Sequence, residues 1–593
     1  MSKHGELTLK GADRASSLNK AAVLVSILLC YIFLWLIYPK LFHASDPWAY
    51  SRHAYNASIG AFLEPVADPI FGHRLGVTLP TAAFYKLFGV NNLSTNLWNL
   101  LMSCAAIGLV WIAAPQGNAK FFASLLLATS VVQFQQSAIL MPDLIVSTSM
   151  LAASVLLAKR RTLIQNPALT SIGAFGAALM LFLAFLTKLT VYWVLIFWII
   201  VFCYDMARRQ WGVVRRFYLP VMLWGGLFGI IYLLLTDYLW GSPLARLDAV
   251  QGLTGQHLWA WDGATILDLL KRLTYEPALV LLKRFSPVIL LAVGGLAVAN
   301  PKNKFWVGQG VLYLLLWWFG SSSLSSYEPL PLSFPRMILP ALPAMSILGG
   351  SFLALLSNLL QQSPAQTVGL HFAPLIRHIA GWFGRSEMCH GHQYGKYVIL
   401  AQLALVGLSG LGNLSLKKSL ILAGIVMGMA ILLKLSRPTF RLSRYHVFVG
   451  LVVVLVCTPL LNSIRNERTA SASRLAEMRA MAEVTTILSE VEGTILLLCL
   501  DSRSPESLTY YWGYEYPSRL TVRYYGAVGL AEDLDADRIL IFNNGKRSRF
   551  LAESYGEPHL TADILTRLPG RHIFNQAEVQ LFEVATEPLR VQN

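Results

Sequence analysis

Residues 21–41 read AAVLVSILLCYIFLWLIYPKL, an apolar run whose one charge, Lys40, comes at its far end. At about 1.5 Å of rise per residue, some 20 such residues form a helix that crosses roughly 30 Å of hydrocarbon. The run is too long for the apolar core of a cleavable signal, and no small-residue cleavage site follows it, so it is expected to stay as an anchor. Working outward, further stretches of this kind lie at 96–114, 120–139, 144–159, 170–188, 190–206, 217–236, 286–300, 305–320, 337–357, 397–413, 419–433 and 445–462. Together they predict an α-helical polytopic membrane protein of thirteen spans.

Composition agrees. Of the 593 residues, 55% are hydrophobic and only 13% charged, and the mean hydropathy is +0.53. Soluble domains of ordinary composition do not reach these values together. Basic residues stay on the cytoplasmic side of spans. Placing Lys3, Lys10, Arg14 and Lys20 inside also puts Lys159–Arg161, Arg208–Arg216, Lys302 with Lys304, Arg377–Lys396 and Lys434–Arg444 inside. Only Lys417 and Lys418 then stand in a short loop on the wrong side. The net charge of +16 follows from this bias and from contact with anionic membrane lipids, and it makes no case for nucleic acid.

The same assignment leaves 42–95, 237–285 and everything after 463 outside. The chain divides into a membrane domain at 1–464 and an extracytoplasmic domain at 465–593. In the latter, strand-like runs at Thr494–Leu500, Leu520–Tyr525 and Arg538–Phe542 alternate with helical stretches such as Arg474–Leu488, with turn signals at Ser504-Pro505 and Asn544-Gly545. This is the pattern of a small α/β domain, and it has no glycine-rich phosphate loop.

Cys30, Cys104, Cys203 and Cys457 lie in apolar spans, Cys389 in an inner loop and Cys499 alone in the tail, so no disulfide framework is implied. Cys389-His390-Gly391-His392, with His371 or His378, is crowded without the paired spacing of a metal site and reads as a solvated loop. No metal ligand is assigned and no cofactor follows, with divalent-metal assistance left open.

Ionisable residues at the outer boundary are costly and need a reason. Ser45-Asp46-Pro47-Trp48-Ala49-Tyr50-Ser51-Arg52-His53-Ala54 follows the first span and fixes an acid near the lipid surface. Asp followed by Pro is also the pattern of a helix N-cap with Pro at the first helical position.

Asp46, Tyr50 and Ala54, in the pattern D-x-x-x-Y-x-x-x-A just past the first span, resemble the first outer loop of the GT-C superfamily of membrane glycosyltransferases. His73-Arg74-Leu75-Gly76 through Leu79-Pro80, and Lys86-Leu87-Phe88-Gly89, are similar to the stretch that follows in aminoarabinose transferases and protein O-mannosyltransferases. Met141-Pro142-Asp143 resembles their second acidic site. Phe185-Leu186-Thr187-Lys188 resembles their F-L-T-K element, and Pro335-Arg336-Met337-Ile338-Leu339-Pro340-Ala341-Leu342-Pro343 the Y-I-L-P-x-x-P start of a later span. Two departures stand out: Pro47 where a second acid is common, and Met337 where Tyr is usual.

The resemblance implies transfer of a sugar from a polyprenyl-phosphate donor to a lipid, glycan or protein acceptor on the outer face of a bacterial inner membrane, with the N-terminus cytoplasmic and the C-terminus periplasmic. The chemistry is consistent. A carrier phosphate is a good leaving group and needs positive charge, whereas the attacking hydroxyl must lose a proton to a carboxylate. Asp46 is the candidate base. Asp143 is placed to position the acceptor or orient Lys188, and Arg74 and Arg336 to bind the carrier phosphate. Each has a plainer role beside it: Arg74, Lys86 and Arg336 as interfacial anchors, and Asp143 with Lys188 as a pair joining two span ends. Trp48, Trp259 and Trp261 could stack on sugars or belong to an aromatic belt. Lys283-Arg284 stays outside the site.

Two other classes use many spans. A transporter or flippase would show an internal repeat or Gly/Pro-broken helices at midplane, whereas these charges gather at one surface. An O-antigen polymerase or ligase would carry its main functional loop later in the chain and has no special need for an acid after the first span.

Overall fold

The computed structural model describes residues 21–38, 45–61, 69–115, 117–254, 265–296, 301–320, 330, 332, 335–361, 444–500, 508–510, 514, 518–524, 536–544, 570–576 and 579–584. The expected spans at 397–413 and 419–433 and the Cys389 loop lie outside them, as do Trp259 and Trp261.

Helices dominate. In chain order they are α1 (Ala21–Ile37), α2 (Ser45–Ser58), α3 (Pro69–Gly72), α4 (Leu75–Phe88), α5 (Asn92–Ala113), α6 (Asn118–Ala128) and α7 (Val131–Ser137). There follow α8 (Pro142–Leu163), α9 (Pro167–Thr187), α10 (Tyr192–Ala207), α11 (Trp211–Val213), α12 (Leu219–Trp240), α13 (Ala245–Thr254) and α14 (Ile266–Leu273). The last are α15 (Glu276–Leu296), α16 (Pro301–Phe319), α17 (Leu342–Gln361) and α18 (Arg444–Glu490). Among the described residues six helices are long and apolar enough to cross a membrane, or seven if the bent α15 is one span. The chain is a multi-pass helical membrane protein with a small C-terminal sheet.

Contacts divide the chain into two units, one of Met1–Tyr38, His73–Gly76 and Asn99–Ser463, the other of Pro39–Gly72, Val77–Trp98 and Ile464–Asn593. In the first, the span Pro335–Asn358 is 94% buried and Pro142–Leu163 78%, whereas Trp211–Trp240 is 17% buried. The first two therefore form the centre, and α12 turns Leu223, Ile230 and Leu234 outward, as a lipid-facing helix does. Helices without a hydrophobic drive between them pack through small residues that let backbones close. Gly350 of α17 is such a residue, since a Cβ there would stand 2.7 Å from Ala123 Cα of α6.

The span expected at 120–139 is two helices. Thr129 turns its hydroxyl back to the Leu125 carbonyl at 2.7 Å and Ser130 is extended at φ −63°, ψ 120°; such side-chain-to-backbone bonds compete with helix propagation. The helix expected at Arg474–Leu488 is the end of the much longer α18, because neither Gly nor Pro follows Pro459 to interrupt it.

The second unit carries a five-stranded sheet of order β2-β1-β3-β5-β4. Its strands are β1 (Ile495–Cys499), β2 (Leu520–Tyr524), β3 (Arg538–Asn544), β4 (Gly570–Gln576) and β5 (Val579–Val584). β1 pairs in parallel with β2 and β3, in register Leu497↔Val522 and Leu497↔Leu540, while β5 runs antiparallel to β3 and β4. β1 is apolar on both faces, as a central parallel strand must be. Ile495, Leu497 and Cys499 pack with Met481, Val484 and Leu488 of α18, and Leu496 and Leu498 with Ile539, Ile541 and Phe582.

Candidate active site

Asp143 is the second residue of α8, after Pro142 at the first helical position, so its carboxylate stands where the helix dipole favours negative charge. The approach to α8 is held by Asn99, whose amide nitrogen faces the carbonyls of Gln136, Ile139 and Met141 at 3.1, 2.6 and 3.1 Å. Sequence reasoning missed Asn99, since an asparagine inside a span carries no signal of what it grips.

Lys188 ends α9. Its extended backbone, φ −157°, ψ 145°, takes the chain out of the helix and presents Nζ to Asp143 Oδ1 at 2.6 Å. Arg336 comes from a 3₁₀ segment, Pro335–Ala341, tied to α8 where Ser147 donates to the Leu339 carbonyl at 2.9 Å. Its Nε lies 3.7 Å from Asp143 Oδ2 and its Nη1 3.9 Å from Met141 Sδ. Met337, at the position where the resemblance expects Tyr, puts its sulfur 3.5 Å from Lys188 Nζ.

Arg74 adds its charge to the same carboxylate and to Lys188 at longer range. Gly76 lets it do so. A Cβ at Gly76 would collide with Thr187 Oγ1 and come to 3.1 Å of the Leu183 carbonyl oxygen, so α4 can begin against the end of α9 only with glycine there. Arg246, also missed in the sequence, is buried and donates to the Phe185 carbonyl beside that end, with its guanidinium 5.1 Å from the Phe185 ring centroid.

Four of the five predicted residues thus meet in the first unit. Asp143 is buried, and its Oδ2 has no hydrogen-bond partner. Lys188, Arg336 and Arg74 all act on this one carboxylate. The far end of α8 differs: Arg160 and Arg161 both bond Asp205, which also accepts from the Tyr218 hydroxyl at 3.1 Å, closing a structural knot around a buried carboxylate.

Asp46 belongs to the second unit. It lies inside the first turn of α2, one residue past Ser45, so the expected N-cap position is corrected by one step: the acid is in the helix and Pro47 follows within the first turn, where a missing N–H costs little. Trp48, expected to face sugar or lipid, is buried against Tyr510 with ring centroids 5.0 Å apart. Among the described residues no group of three or more His, Cys, Asp or Glu could hold a metal ion.

The crystal structure of ArnT from Cupriavidus metallidurans in the apo state superposes at a TM-score of 0.55, over 96% of this chain and 99% of that one, at 14% identity. The chain shares the ArnT fold. The same ArnT bound to undecaprenyl phosphate gives a TM-score of 0.52 over 95% and 97% of the two chains, again at 14% identity. An oligosaccharyltransferase from Archaeoglobus fulgidus in the apo form overlaps at 0.46, over 93% of this chain and 73% of that one, at 11% identity. No family model matches the chain, and no curated protein matches it.

Proposed function

We propose that the chain is a membrane glycosyltransferase that takes a sugar from a polyprenyl-phosphate carrier and passes it to a hydroxyl acceptor at the outer face of a bacterial inner membrane. The observation that carries this reading is the convergence of Lys188, Arg336 and Arg74 on Asp143. A buried carboxylate that served only to join two span ends would need one partner. Several cations gathered at one place are the donor set that holds a phosphate. The shared fold supports the choice of anion, since ArnT has been solved with undecaprenyl phosphate bound.

In the reaction the acceptor oxygen attacks the anomeric carbon, its proton passes to a carboxylate base, for which the sequence resemblance nominates Asp46, and the bond from that carbon to the phosphate oxygen breaks. The electron pair leaves with the carrier phosphate, where Lys188, Arg336 and Arg74 hold the charge through contacts that strengthen as it develops. Asp143 orients Lys188 through Oδ1 and offers Oδ2 to the acceptor hydroxyl. Thirteen spans, a cytoplasmic N-terminus and a periplasmic domain at 465–593 complete the proposal, supported by the placement of the basic loops.

Arg336→Ala and Arg74→Ala test it. Each removes a charge-assisted contact of about 1.5–3 kcal/mol, so each should weaken binding of undecaprenyl phosphate to purified protein by roughly ten-fold or more while leaving protein abundance unchanged. Unaltered affinity in both variants would place the phosphate elsewhere.

A further inference from the structure

In the second unit, Arg52 of α2 is half-buried, and no carboxylate or hydrogen-bond acceptor among the described residues meets its guanidinium. Its Nε is screened from solvent and unpartnered. What it does meet is the ring of Tyr514, whose centroid lies 5.4 Å from the guanidinium carbon. Tyr514 is itself 6% exposed, and Ser51 is placed to accept from its hydroxyl. The Arg52 Nε thus stands beside a buried phenol without the bond it had in water, an arrangement folded proteins rarely keep without a purpose.

The surroundings do not supply the acceptor that Arg52 lacks. Ser51 bonds the Tyr85 hydroxyl at 2.6 Å and its oxygen is placed to accept from the Tyr514 phenol. Tyr85 continues to Thr95 at 2.9 Å, Thr95 to the Tyr510 hydroxyl at 3.1 Å, and Tyr510 donates to Asn92 Oδ1 at 3.0 Å. Nor is Tyr514 free to swing away: its N–H donates to the Thr509 carbonyl at 2.7 Å, its backbone sits at φ +66°, and its ring packs on Tyr55 with centroids 5.0 Å apart. Burial pushes its hydroxyl well above the ordinary tyrosine range, so it stays an O–H donor at neutral pH.

We infer that Arg52 and Tyr514 form an anion subsite that takes a phosphate group. A guanidinium offers a planar fork of donors to two oxygens of one anion, and the phenol can turn from Ser51 to add a third donor from the side. A phosphate has a separate oxygen for each of the three. The group can arrive as free phosphate or as a lipid headgroup. The inference uses none of the residues around Asp143 and stands independently of the transferase reading.

The test titrates the purified full-length protein in neutral detergent with inorganic phosphate and, separately, with a short-chain phosphatidic acid. Wild type is compared with Arg52→Gln, Tyr514→Phe, Arg336→Ala and the Arg52→Gln/Arg336→Ala double variant. Arg52→Gln should weaken one class of sites roughly 10–100-fold, leaving any class that depends on Arg336. Tyr514→Phe keeps the ring and should weaken the same class several-fold, so it carries the test should Arg52→Gln fail to fold. Loss with both ligands identifies phosphate as the recognised group, and loss with phosphatidic acid alone identifies a lipid headgroup. Isotherms of Arg52→Gln and Tyr514→Phe that superimpose on wild type for both ligands overturn the inference, whatever Arg336→Ala does.

Discussion

Asp143 and Lys188 pose the sharpest question at the scale of single residues, because an ion pair can be a fastening as well as a tool. With Lys188→Met the carboxylate keeps Arg336 at 3.7 Å but loses its 2.6 Å partner. Removing one member of a buried pair typically costs about 3–5 kcal/mol, so this variant should unfold at clearly lower temperature in detergent. Asp46 behaves differently. It lies in the first turn of α2, where an acid gains only about 0.3–1 kcal/mol from the helix dipole, so Asp46→Asn should remain nearly as stable as wild type. A general base must titrate, and an amide cannot take the hydroxyl proton, so transfer by this variant should fall roughly 10²–10⁴-fold. Near-normal transfer in an assay with the lipid-linked donor would leave Asp143 as the only acidic candidate. At this scale the sequence was informative about type but not about company. Charges at a lipid boundary announce themselves, so Asp143, Lys188 and Arg336 could be singled out. Arg52 could not, because its partner Tyr514 lies in an aromatic run at the far end of the chain, Tyr510 to Tyr516, which reads as core.

Among elements, the start of α4 against the end of α9 decides whether Arg74 reaches its place, and Gly76 makes that approach fit. Gly76→Ala would drive a methyl into Thr187 and the backbone at Leu183, and overpacking of this kind costs typically 1–3 kcal/mol. It should also weaken undecaprenyl-phosphate binding, although Gly76 bears no group that could touch a phosphate. Gly108→Ala is the control: a Cβ there meets nothing within 4 Å, and in a helix the exchange stabilises by roughly 0.5–1 kcal/mol. Equal phosphate affinity in the two variants would show that the packing at Gly76 does not set the position of Arg74. Element type was legible wherever hydrophobic runs were long. Breaks were less so, since Thr129 and Ser130 end α6 through a local side-chain bond that hydropathy does not register. β4 and β5 were missed for a related reason: Arg571, His572, Asn575 and Gln576 give β4 little apolar alternation, and it is held as a strand by antiparallel pairing with β5.

For the molecule as a whole, the proposed chemistry depends on which ends of the helices face outward. Asp143 begins α8 and Arg160 lies near its other end; at 1.5 Å per residue the two are separated by roughly 25 Å along the axis, close to the thickness of the hydrocarbon. The acid-and-cation cluster and the Arg160–Asp205 knot therefore lie at opposite ends of a helix long enough to span the hydrocarbon. Lys159, Arg160 and Arg161 share the knot's end with Arg208, Arg209, Arg215 and Arg216, and basic residues concentrate on the cytoplasmic side because they resist translocation. On the proposed orientation the Asp143 end faces outside, where a lipid-linked sugar would be used. Single cysteines placed at 163–166 and in the 360–396 loop should accordingly be shielded from a membrane-impermeant thiol reagent in intact cells and become reactive once the membrane is opened, against a background lacking the native cysteines. Cysteines placed after 545 should react in intact cells once the outer envelope is permeabilised. Labelling of 163–166 from outside would invert α8 and put Asp143, Lys188 and Arg336 on the cytoplasmic face. An inside tail with shielded 163–166 would overturn the thirteen-span count and the periplasmic assignment of the C-terminal sheet.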